Sequence, residues 1–442
     1  MGAELMVGLR IGYAKADITP EEPVPMAGLG NSSQRKNKSV LDHIFATCLA
    51  LTDQNGDSAL FFSIDIQNAY DPVAKYRESV SLATGLPLER IMMCFTHDHS
   101  SVDINNRNEA SVVRFNNMMN TQLPELAKEA LADRQSSQVY ISSVKTEGLN
   151  FVRRYIMNDD SLCGDNWGSM ESGVRSHETE ADHTLQLIKF VRNGADDVLV
   201  TNFQTHSNYT IHEQVLSSDV AGAFRDAMEE VSGCKVIHFN GASGNINPKS
   251  RVPEENIAAD HRDWGKRLAA YAMKAEFAPV PISAIKTEHH VFTAVANHTE
   301  DHLVEQARAI VDVFYTTNDR ARCRDMGAPY GITSCYHAMG IVQHTHLGET
   351  IPVHMFVYSL GKLAFVFAPV EMFDTNGMYI KEKSPFDMTF ICGYANYCQG
   401  YMPSAIACAN RGYEVVTGIF APGNAEKLAD RYVEMLNHLY EE

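Results

Sequence analysis

The sequence predicts an α/β protein in which mixed β-sheets are flanked by helices, built as a single large domain over residues 1–442. Three observations predict this fold class. Short apolar runs rich in β-forming residues alternate with helical stretches along the whole chain. No composition break or low-complexity linker divides it. Apolar residues make up 45% and charged residues 21%, which is the balance of a folded globular protein rather than a disordered one.

The first half begins with a hairpin and continues with helices and strands in alternation. An Asn55-Gly56 turn joins the two strands of the hairpin, because Asn-Gly favours the positive φ angles of a tight turn. The predicted elements are, in order, strands over 43–52 and 59–66, a helix over 71–84, a strand over 90–95, and a helix over 106–134 with a break near Pro124.

The second half repeats this alternation. Its predicted elements are, in order, a hairpin of 184–192 and 198–203 across Asn193-Gly194, a helix over 217–231, a strand over 235–239, helices near 254–276 and 299–317, a hairpin over 353–370, a helix near 371–383, a strand over 388–396, and a final helix from about 424 to 440. Two long polar segments, 156–181 and 319–350, lack clear periodicity. Long irregular segments are usually lids, walls of a site or disordered loops, so both are candidate lid loops.

Composition restricts the partners and the compartment. With 37 basic and 55 acidic residues the net charge is −18, which argues against nucleic acid or an anionic membrane as the main partner. The nine cysteines are odd in number and include no Cys-x-x-Cys pair, which favours free thiols in a reducing compartment. No signal-peptide pattern is visible, and no apolar run approaches the ~20 residues of a membrane span. We therefore expect a soluble, cytoplasmic protein.

Polar side chains follow several predicted strands at the point where each strand ends. Strand 90–95 leads into His97 and His99, strand 198–203 into His206, and the strand that ends at 370 into Glu371. In α/β proteins the ligand site lies just beyond the carboxyl ends of the strands, so these groups can converge. Imidazole and carboxylate together suit Zn²⁺, and three protein ligands plus a water form the usual catalytic arrangement.

Each of these residues also has a purely structural interpretation. A second His-x-His, His344 and His346, lies in a loop-like region and shows that the spacing alone is a weak signal. A single histidine such as His206 is often a satisfied core residue, and Glu371 suits the first turn of a helix. Tyrosines at 401 and 413 can be packing residues, and asparagines at 245 and 247 can be turn formers.

Five motifs in order resemble the catalytic domain of the neutral/alkaline (non-lysosomal) ceramidases. The motifs are GYAKADITP (12–20), FTHDHSS (95–101), NFQTHSN (202–208), NGASGNINP (240–248), and APVEMF (368–373) followed by NYCQGYMPS (396–404) and NRGYE (410–414). Together they extend over nearly the whole chain. They are specific to the superfamily rather than to ceramide as the substrate.

The resemblance implies one Zn²⁺ per chain and a role for each matching residue. The implied zinc ligands are His97, His206, Glu371 and Tyr401. Tyr413 matches a tyrosine that stabilises the oxyanion, and His99 matches a histidine beside the metal or on the substrate side. Arg153 and Asn247 are implied to face the substrate.

Two departures from the family pattern bear on the activity. The essential serine of the family aligns with Asn247, and its aspartate with Asn245. Asparagine cannot act as an alkoxide nucleophile, so hydrolysis would have to rely on a zinc-activated water. The chain also ends soon after the motifs, which leaves no room for the C-terminal immunoglobulin-like domain of ceramidases. We therefore expect a small soluble amide as the substrate ahead of a ceramide-like lipid.

The leading hypothesis is a zinc-dependent amidohydrolase that cleaves an N-acyl bond, with His99 or a nearby carboxylate passing a proton to the leaving amine. One alternative is an ester or phosphoester hydrolase, because residues 96–103 loosely resemble the metal sites of metallo-β-lactamase-like enzymes. The usual Asp-His pair after the second histidine is absent from that motif. Another is a non-catalytic zinc-binding relative that binds a sugar or lipid, which the missing serine favours. A homo-oligomer is compatible with all three.

Overall fold

The computed structural model describes residues 8–30, 32–67 and 71–441. Its α-helices are, in order, Asp71–Thr84, Ala110–Ala132, Asp219–Ser232, His261–Ala272, Val304–Thr317, Arg320–Gly327, Cys335–His344, Asp374–Lys383, Ala405–Asn410, Tyr413–Thr417 and Asn424–Glu441. Together with several mixed sheets they confirm the predicted α/β class.

The larger sheet has nine strands in this part of the chain. Eight form a continuous path, whose spatial order is Lys235–Asn240, Val198–Phe203, Thr184–Arg192, Gln135–Lys145, Arg10–Asp17, Phe45–Thr52, Ser58–Ile64 and Ile91–Phe95. The ninth, Ala278–Pro279, pairs with Gln135–Lys145 beside this path. The pair at each end of the path is parallel and the pairs between are antiparallel.

A smaller sheet packs face to face with the larger one. Its strands are, in spatial order, Ile285–Val295, Thr350–Leu360, Leu363–Phe367 and Met388–Cys392. Three short sheets are two-stranded, and they pair Ser39–Val40 with Val215–Leu216, Phe151–Val152 with Ile246–Asn247, and Glu371–Met372 with Tyr401–Met402. A three-stranded sheet joins Tyr155–Met157, Leu162–Cys163 and Val174–His177.

Side chains that alternate between the two faces of the larger sheet explain how its layers pack. The ring of Phe61 contacts Phe365 and Phe367 of the smaller sheet, with centroids 5.4 and 4.9 Å apart. Its neighbour Phe62 points the other way, into a core shared with helices Asp71–Thr84 and Ala110–Ala132. Successive strand residues face opposite sides, so a continuous apolar run indicates a strand buried on both faces. Each such buried phenylalanine stabilises the fold by roughly 1.5–3 kcal/mol.

Helices cover the outer face of both sheets. Helices Asp219–Ser232 and His261–Ala272 share a core with the second half of the larger sheet, and Asn424–Glu441 packs on the smaller sheet. The result is a helix–sheet–sheet–helix arrangement. No helix among the described residues is both long and apolar enough to cross a bilayer. The nine cysteines are free thiols, eight of them buried.

The larger sheet curls until the two ends of its path meet. The hydroxyl of Ser63, near one end, donates to the carbonyl of His238 on the strand at the other end. Beyond the strands, Asn240 Nδ2 donates to the Thr96 carbonyl at 3.2 Å. This closure brings the loops after strands Ile91–Phe95, Val198–Phe203 and Lys235–Asn240 to one place.

Most predicted elements are confirmed, and helix Asp71–Thr84 and strand Thr184–Arg192 have the predicted bounds. The break predicted near Pro124 is wrong, because helix Ala110–Ala132 continues through it. A proline inside a helix removes one hydrogen bond and crowds the preceding turn. Here Leu123, Pro124 and Ala127 are all buried, and Leu123 and Ala127 belong to a core shared with the sheet. That packing outweighs the local cost.

The segment 319–350 is not irregular, contrary to the sequence pattern. It contains helices Arg320–Gly327 and Cys335–His344, which share a small apolar core with helix Val304–Thr317. Asp319 and Ser334 cap the two helices, and their side chains accept hydrogen bonds from the backbone N–H of Arg322 and His337. These caps are the local signal that could have predicted the helices. Segment 156–181 is likewise partly ordered, with strands Leu162–Cys163 and Val174–His177.

Candidate metal centre

Three histidines meet where the strand ends converge. His97 and His99 follow strand Ile91–Phe95, and His206 follows strand Val198–Phe203. The two loops are joined, because Asp98 and Ser207 form a parallel β-bridge and the His99 N–H donates to the Ser207 carbonyl at 2.9 Å. All three side chains are buried, and their metal-ligating atoms lie within 4.8 Å of one another.

A hydrogen bond from Nδ1 to a backbone carbonyl orients each of the three imidazoles. Nδ1 of His97 lies 3.1 Å from the Gln67 carbonyl, and Nδ1 of His206 lies 2.8 Å from the Ser243 carbonyl. Nδ1 of His99 lies 3.1 Å from the Gly28 carbonyl. A carbonyl only accepts, so Nδ1 carries a hydrogen, which leaves Nε2 as the nitrogen that can offer a lone pair to a metal. This is the usual arrangement around a metal-binding histidine.

The Nε2 atoms of the three histidines are buried and have no hydrogen-bond partner among the described residues, and the same is true of Glu371 Oε2. Buried polar atoms are rarely left unpaired. Four neighbouring atoms with lone pairs and no hydrogen-bond partner are what a bound cation requires as ligands. The residues therefore fit a divalent metal of the zinc type, for which nitrogen and carboxylate ligands are typical.

Glu371 lies closest to two of the three imidazoles. Its Oε2 is 3.3 Å from His97 Nε2 and 3.5 Å from His206 Nε2. Burial would raise the pKa of Glu371, but the neighbouring imidazoles of His97 and His206 lower it well below its usual range. Burial, with Arg153 nearby, lowers the pKa of His206 to about 3. The site thus holds a carboxylate beside neutral imidazole, which are the protonation states that bind metal.

Backbone strain is concentrated at this centre. His97 has a φ of 58° and Tyr394 a φ of 54°, both in the left-handed region that non-glycine residues avoid. The ring of Tyr394 stacks on His97 with centroids 4.0 Å apart. Its hydroxyl lies 2.8 Å from Ser243 Oγ. Tyr394 was not predicted for the site, because the sequence pattern places it inside strand 388–396. A strand that ends at Cys392 rather than Asn396 explains the difference.

Arg153 joins several residues around the cavity through hydrogen bonds. This buried guanidinium donates to the Tyr401 hydroxyl at 3.0 Å, to the Gly244 carbonyl at 3.0 Å and to Glu414 Oε1 at 2.8 Å. Arg154 Nη1 donates to the other oxygen of Glu414 at 2.9 Å. The sequence analysis placed Arg153 at the site but missed Glu414 and Arg154. Glu414 is adjacent to the predicted Tyr413, which was the available signal.

Tyr401 and Tyr413 lie next to each other and close to Glu371. Residues Glu371 and Tyr401 pair in a short parallel ladder, and the tyrosine rings meet with centroids 5.8 Å apart. Burial raises the pKa of Tyr413 above its usual range. Its hydroxyl therefore keeps its proton at neutral pH and can donate a hydrogen bond.

The two asparagines at the aligned serine and aspartate positions have different surroundings. Asn245 is buried and exchanges hydrogen bonds with Asp374 at 2.7 and 3.0 Å, which fastens the start of helix Asp374–Lys383. Asn247 accepts a hydrogen bond from Asn208 at 2.9 Å and faces a cavity. His344, from the second His-x-His, is structural, because its buried Nε2 bonds the Gly418 carbonyl at 2.9 Å.

A cavity of about 350 Å³ opens beside the centre. Its lining includes five of the residues predicted for the site, namely His99, Arg153, Asn247, Tyr401 and Tyr413. A second cavity of about 640 Å³ adjoins it, and Arg251, Arg320 and Tyr336 line both. Segments 156–181 and 319–350 therefore contribute to the walls, through residues such as Trp167 and Tyr336. Opening and closing of these segments stays a prediction.

The fold and the site together define an α/β protein with a buried histidine cluster that can hold a metal ion at converging strand ends. Over 98% of the chain, the structure is similar to neutral ceramidase from Pseudomonas aeruginosa, with a TM-score of 0.70, 17% identity and 75% of that chain covered. It is also similar to a ceramidase complexed with C2, with a TM-score of 0.71, 16% identity and 76% of that chain covered. No protein-family model and no curated protein matches the chain. The likeness confirms the resemblance seen in the motifs at the level of the fold.

Proposed function

We propose that this protein is a metal-dependent hydrolase that cleaves the amide bond of an N-acyl compound, with one Zn²⁺ per chain. The main observation in support is a set of buried atoms without hydrogen-bond partners, namely Nε2 of the three histidines and Oε2 of Glu371. They lie beside a cavity large enough for a small substrate. The ceramidase-like fold supports an amide as the bond cleaved, since the similar structures are ceramidases.

His97, His206 and Glu371 are the proposed core of the metal site, with Tyr401 as a further ligand. Glu371 Oε2 is within 3.5 Å of both of these imidazoles, which makes this the tightest part of the cluster. A bound Zn²⁺ would supply Lewis-acid polarisation and lower the pKa of a bound water to about 7.

His99 differs from the other two histidines because it alone lines the cavity. Burial and the neighbouring imidazoles lower the pKa of His99 well below its usual range, so its imidazole is neutral at neutral pH. We assign it to proton transfer on the substrate side. Asp165 also lines the cavity and is a second carboxylate available for that step.

Tyr413 and Arg153 complete the proposed machinery. The protonated Tyr413 hydroxyl is the proposed donor to the oxyanion that forms from the amide carbonyl, a contribution of roughly 3–4 kcal/mol for one such donor. Arg153 orients the Tyr401 hydroxyl through its 3.0 Å hydrogen bond. Asn247 has no nucleophilic oxygen, so it binds substrate and the attacking group is water.

The test is the metal content of the full-length protein beside its hydrolysis of a panel of N-acyl amides. We expect about one zinc per chain in the wild type and loss of both metal and activity in His206→Ala. The matched control is His346→Ala, because His346 is the exposed histidine of the second His-x-His. This variant should retain both metal and activity. A wild-type protein that is free of metal when prepared without chelators contradicts the proposal. Turnover of esters or phosphoesters but not of amides would favour the alternative hydrolase class.

A further inference from the structure

We propose that the substrate carries a negatively charged group, a carboxylate or a phosphate, which binds Lys249, Arg251 and Arg320 at the mouth of the cavity. This inference rests on the proposed function, because it names the class of N-acyl compound that the same site accepts.

The three cations are exposed side chains of one cavity. Lys249, Arg251 and Arg320 all line the 350 Å³ cavity that contains His99 and Tyr413. Arg251 and Arg320 also line the adjoining 640 Å³ cavity. A substrate whose amide reaches the histidines therefore places its distal part between these side chains.

These cations have no carboxylate partner within 4.0 Å in the described part of the chain, and the groups that they contact are uncharged. Lys249 Nζ lies 4.1 Å from the centroid of the Tyr209 ring, and the Arg320 guanidinium 5.4 Å from that of Tyr336. Arg251 Nη1 donates to the Gly164 carbonyl at 3.1 Å. The acidic group of the same cavity, Asp165, lies 3.5 Å from Arg153 instead.

Such a cluster stands out in a chain with a net charge of −18. Some exposed arginines outside the cavity have carboxylate partners, as in the pairs Arg114–Glu22 and Arg431–Glu434. Three neighbouring cations without partners repel one another, and a cleft of one sign concentrates ions of the opposite sign. The arrangement is typical of a binding site for an anion.

The chemistry of the side chains points to carboxylate or phosphate. Guanidinium groups form short, charge-assisted and often bidentate hydrogen bonds with both. The first turn of helix Cys335–His344 lines the outer cavity as well and adds positive potential from its backbone N–H groups. A neutral lipid amide would leave all of this charge uncompensated. An acidic N-acyl compound, such as an N-acyl amino acid, would compensate it.

The test compares amides that differ only in charge. The kcat/KM is measured for N-hexanoylglycine against N-hexanoylglycinamide, and for an N-acylated phosphoethanolamine against the N-acylated ethanolamine. We expect a preference for the charged member of at least about tenfold, the size of one charge-assisted contact. The pair with the larger preference distinguishes carboxylate from phosphate.

Arg251→Gln, Arg320→Gln and the double variant then test the residues. The ratio of kcat/KM for the charged over the neutral amide should fall by about tenfold in the double variant, and the wild-type ratio should fall with added salt. Arg431→Gln, on the last helix and outside the cavity, is the control and should keep the wild-type ratio.

The outcomes separate this inference from the proposed function. Cleavage of charged and neutral amides at equal rates, or a preference that survives the double variant, overturns the inference and leaves the amidase intact. If no amide is cleaved, the proposed function fails, and the same compounds become stable ligands for calorimetry. Equal affinity of the wild type for N-hexanoylglycine and its amide would then overturn the anion site itself.

Discussion

The two ends of the site are built differently. We call the metal-centre residues His97, His99, His206 and Glu371 the inner wall, although only His99 of these lines the cavity itself. The cavity residues Arg251, Arg320 and Tyr336 are the outer wall. The inner wall follows buried strands, and each imidazole has a backbone carbonyl behind it. Arg251 and Arg320 of the outer wall are exposed, and Arg320 begins a short helix. In the proposed function, the rigid strand ends provide the chemistry, whereas the loops and short helices select the substrate.

The largest effect is expected from Glu371→Gln on the inner wall. The amide keeps the shape of the side chain but removes the charge that faces His97 and His206. We expect metal content to fall and kcat/KM to drop on the order of 10³-fold, about 4 kcal/mol of transition-state stabilisation. Metal analysis and steady-state kinetics measure both. Glu434→Gln, on the exposed face of the last helix, is the control, and full activity in Glu371→Gln would remove Glu371 from the site.

Tyr413→Phe should lower kcat by roughly 10²-fold, because it removes one hydrogen-bond donor to the oxyanion. KM should change little if the bond forms only in the transition state. The matched control is Tyr379→Phe, whose hydroxyl bonds Asp430 at the surface. A higher KM with an unchanged kcat would instead assign Tyr413 to substrate binding.

Gly28→Ala tests whether the inner wall depends on close packing. A Cβ on Gly28 would lie 2.2 Å from His99 Nδ1, and its φ of 85° already disfavours alanine. We expect activity to fall about 10- to 100-fold as His99 is displaced. Gly56→Ala shares the positive φ, at 90°, but has open space around it. Both variants should lose roughly 1 kcal/mol of stability, measured by denaturant unfolding, and only Gly28→Ala should lose activity.

The smallest effect is expected for Glu300→Gln, next to the outer wall, and it concerns the free energy of unfolding. Glu300 accepts hydrogen bonds from His337 at 2.8 Å and from Arg411 at 2.7 Å, and these partners lower the pKa of Glu300 to about 2. Because the folded pKa is depressed, the stabilisation is present above the unfolded value of 4.5 and is lost as the pH falls through about 2. Glu300→Gln should therefore cost about 1 kcal/mol at neutral pH. The difference from the wild type in unfolding free energy should shrink below pH 4.5, and a constant difference would contradict the ionic explanation.

The sequence analysis predicted the strands and most helices well because their signals are local. Apolar runs and Asn-Gly turns identify buried strands without any knowledge of the partners. Local signals also allowed His97, His206 and Glu371 to be predicted as candidate site residues, since each closely follows such a strand. Pro124 shows the limit, because its helix is held by packing that a propensity argument does not contain.

What the sequence by itself determined is the α/β class, the order of the elements and the strand ends at which the buried histidines lie. Only the tertiary structure decided which distant residues meet. Arg153 and Glu414 are 261 positions apart, and Tyr394 stacks on His97 across a similar separation. The cations at 249, 251 and 320 join one cavity only because the helices of segment 319–350 pack beside it. Contacts of this kind follow from the curl of the larger sheet and the packing of the layers, which leave no periodic or local mark in the chain.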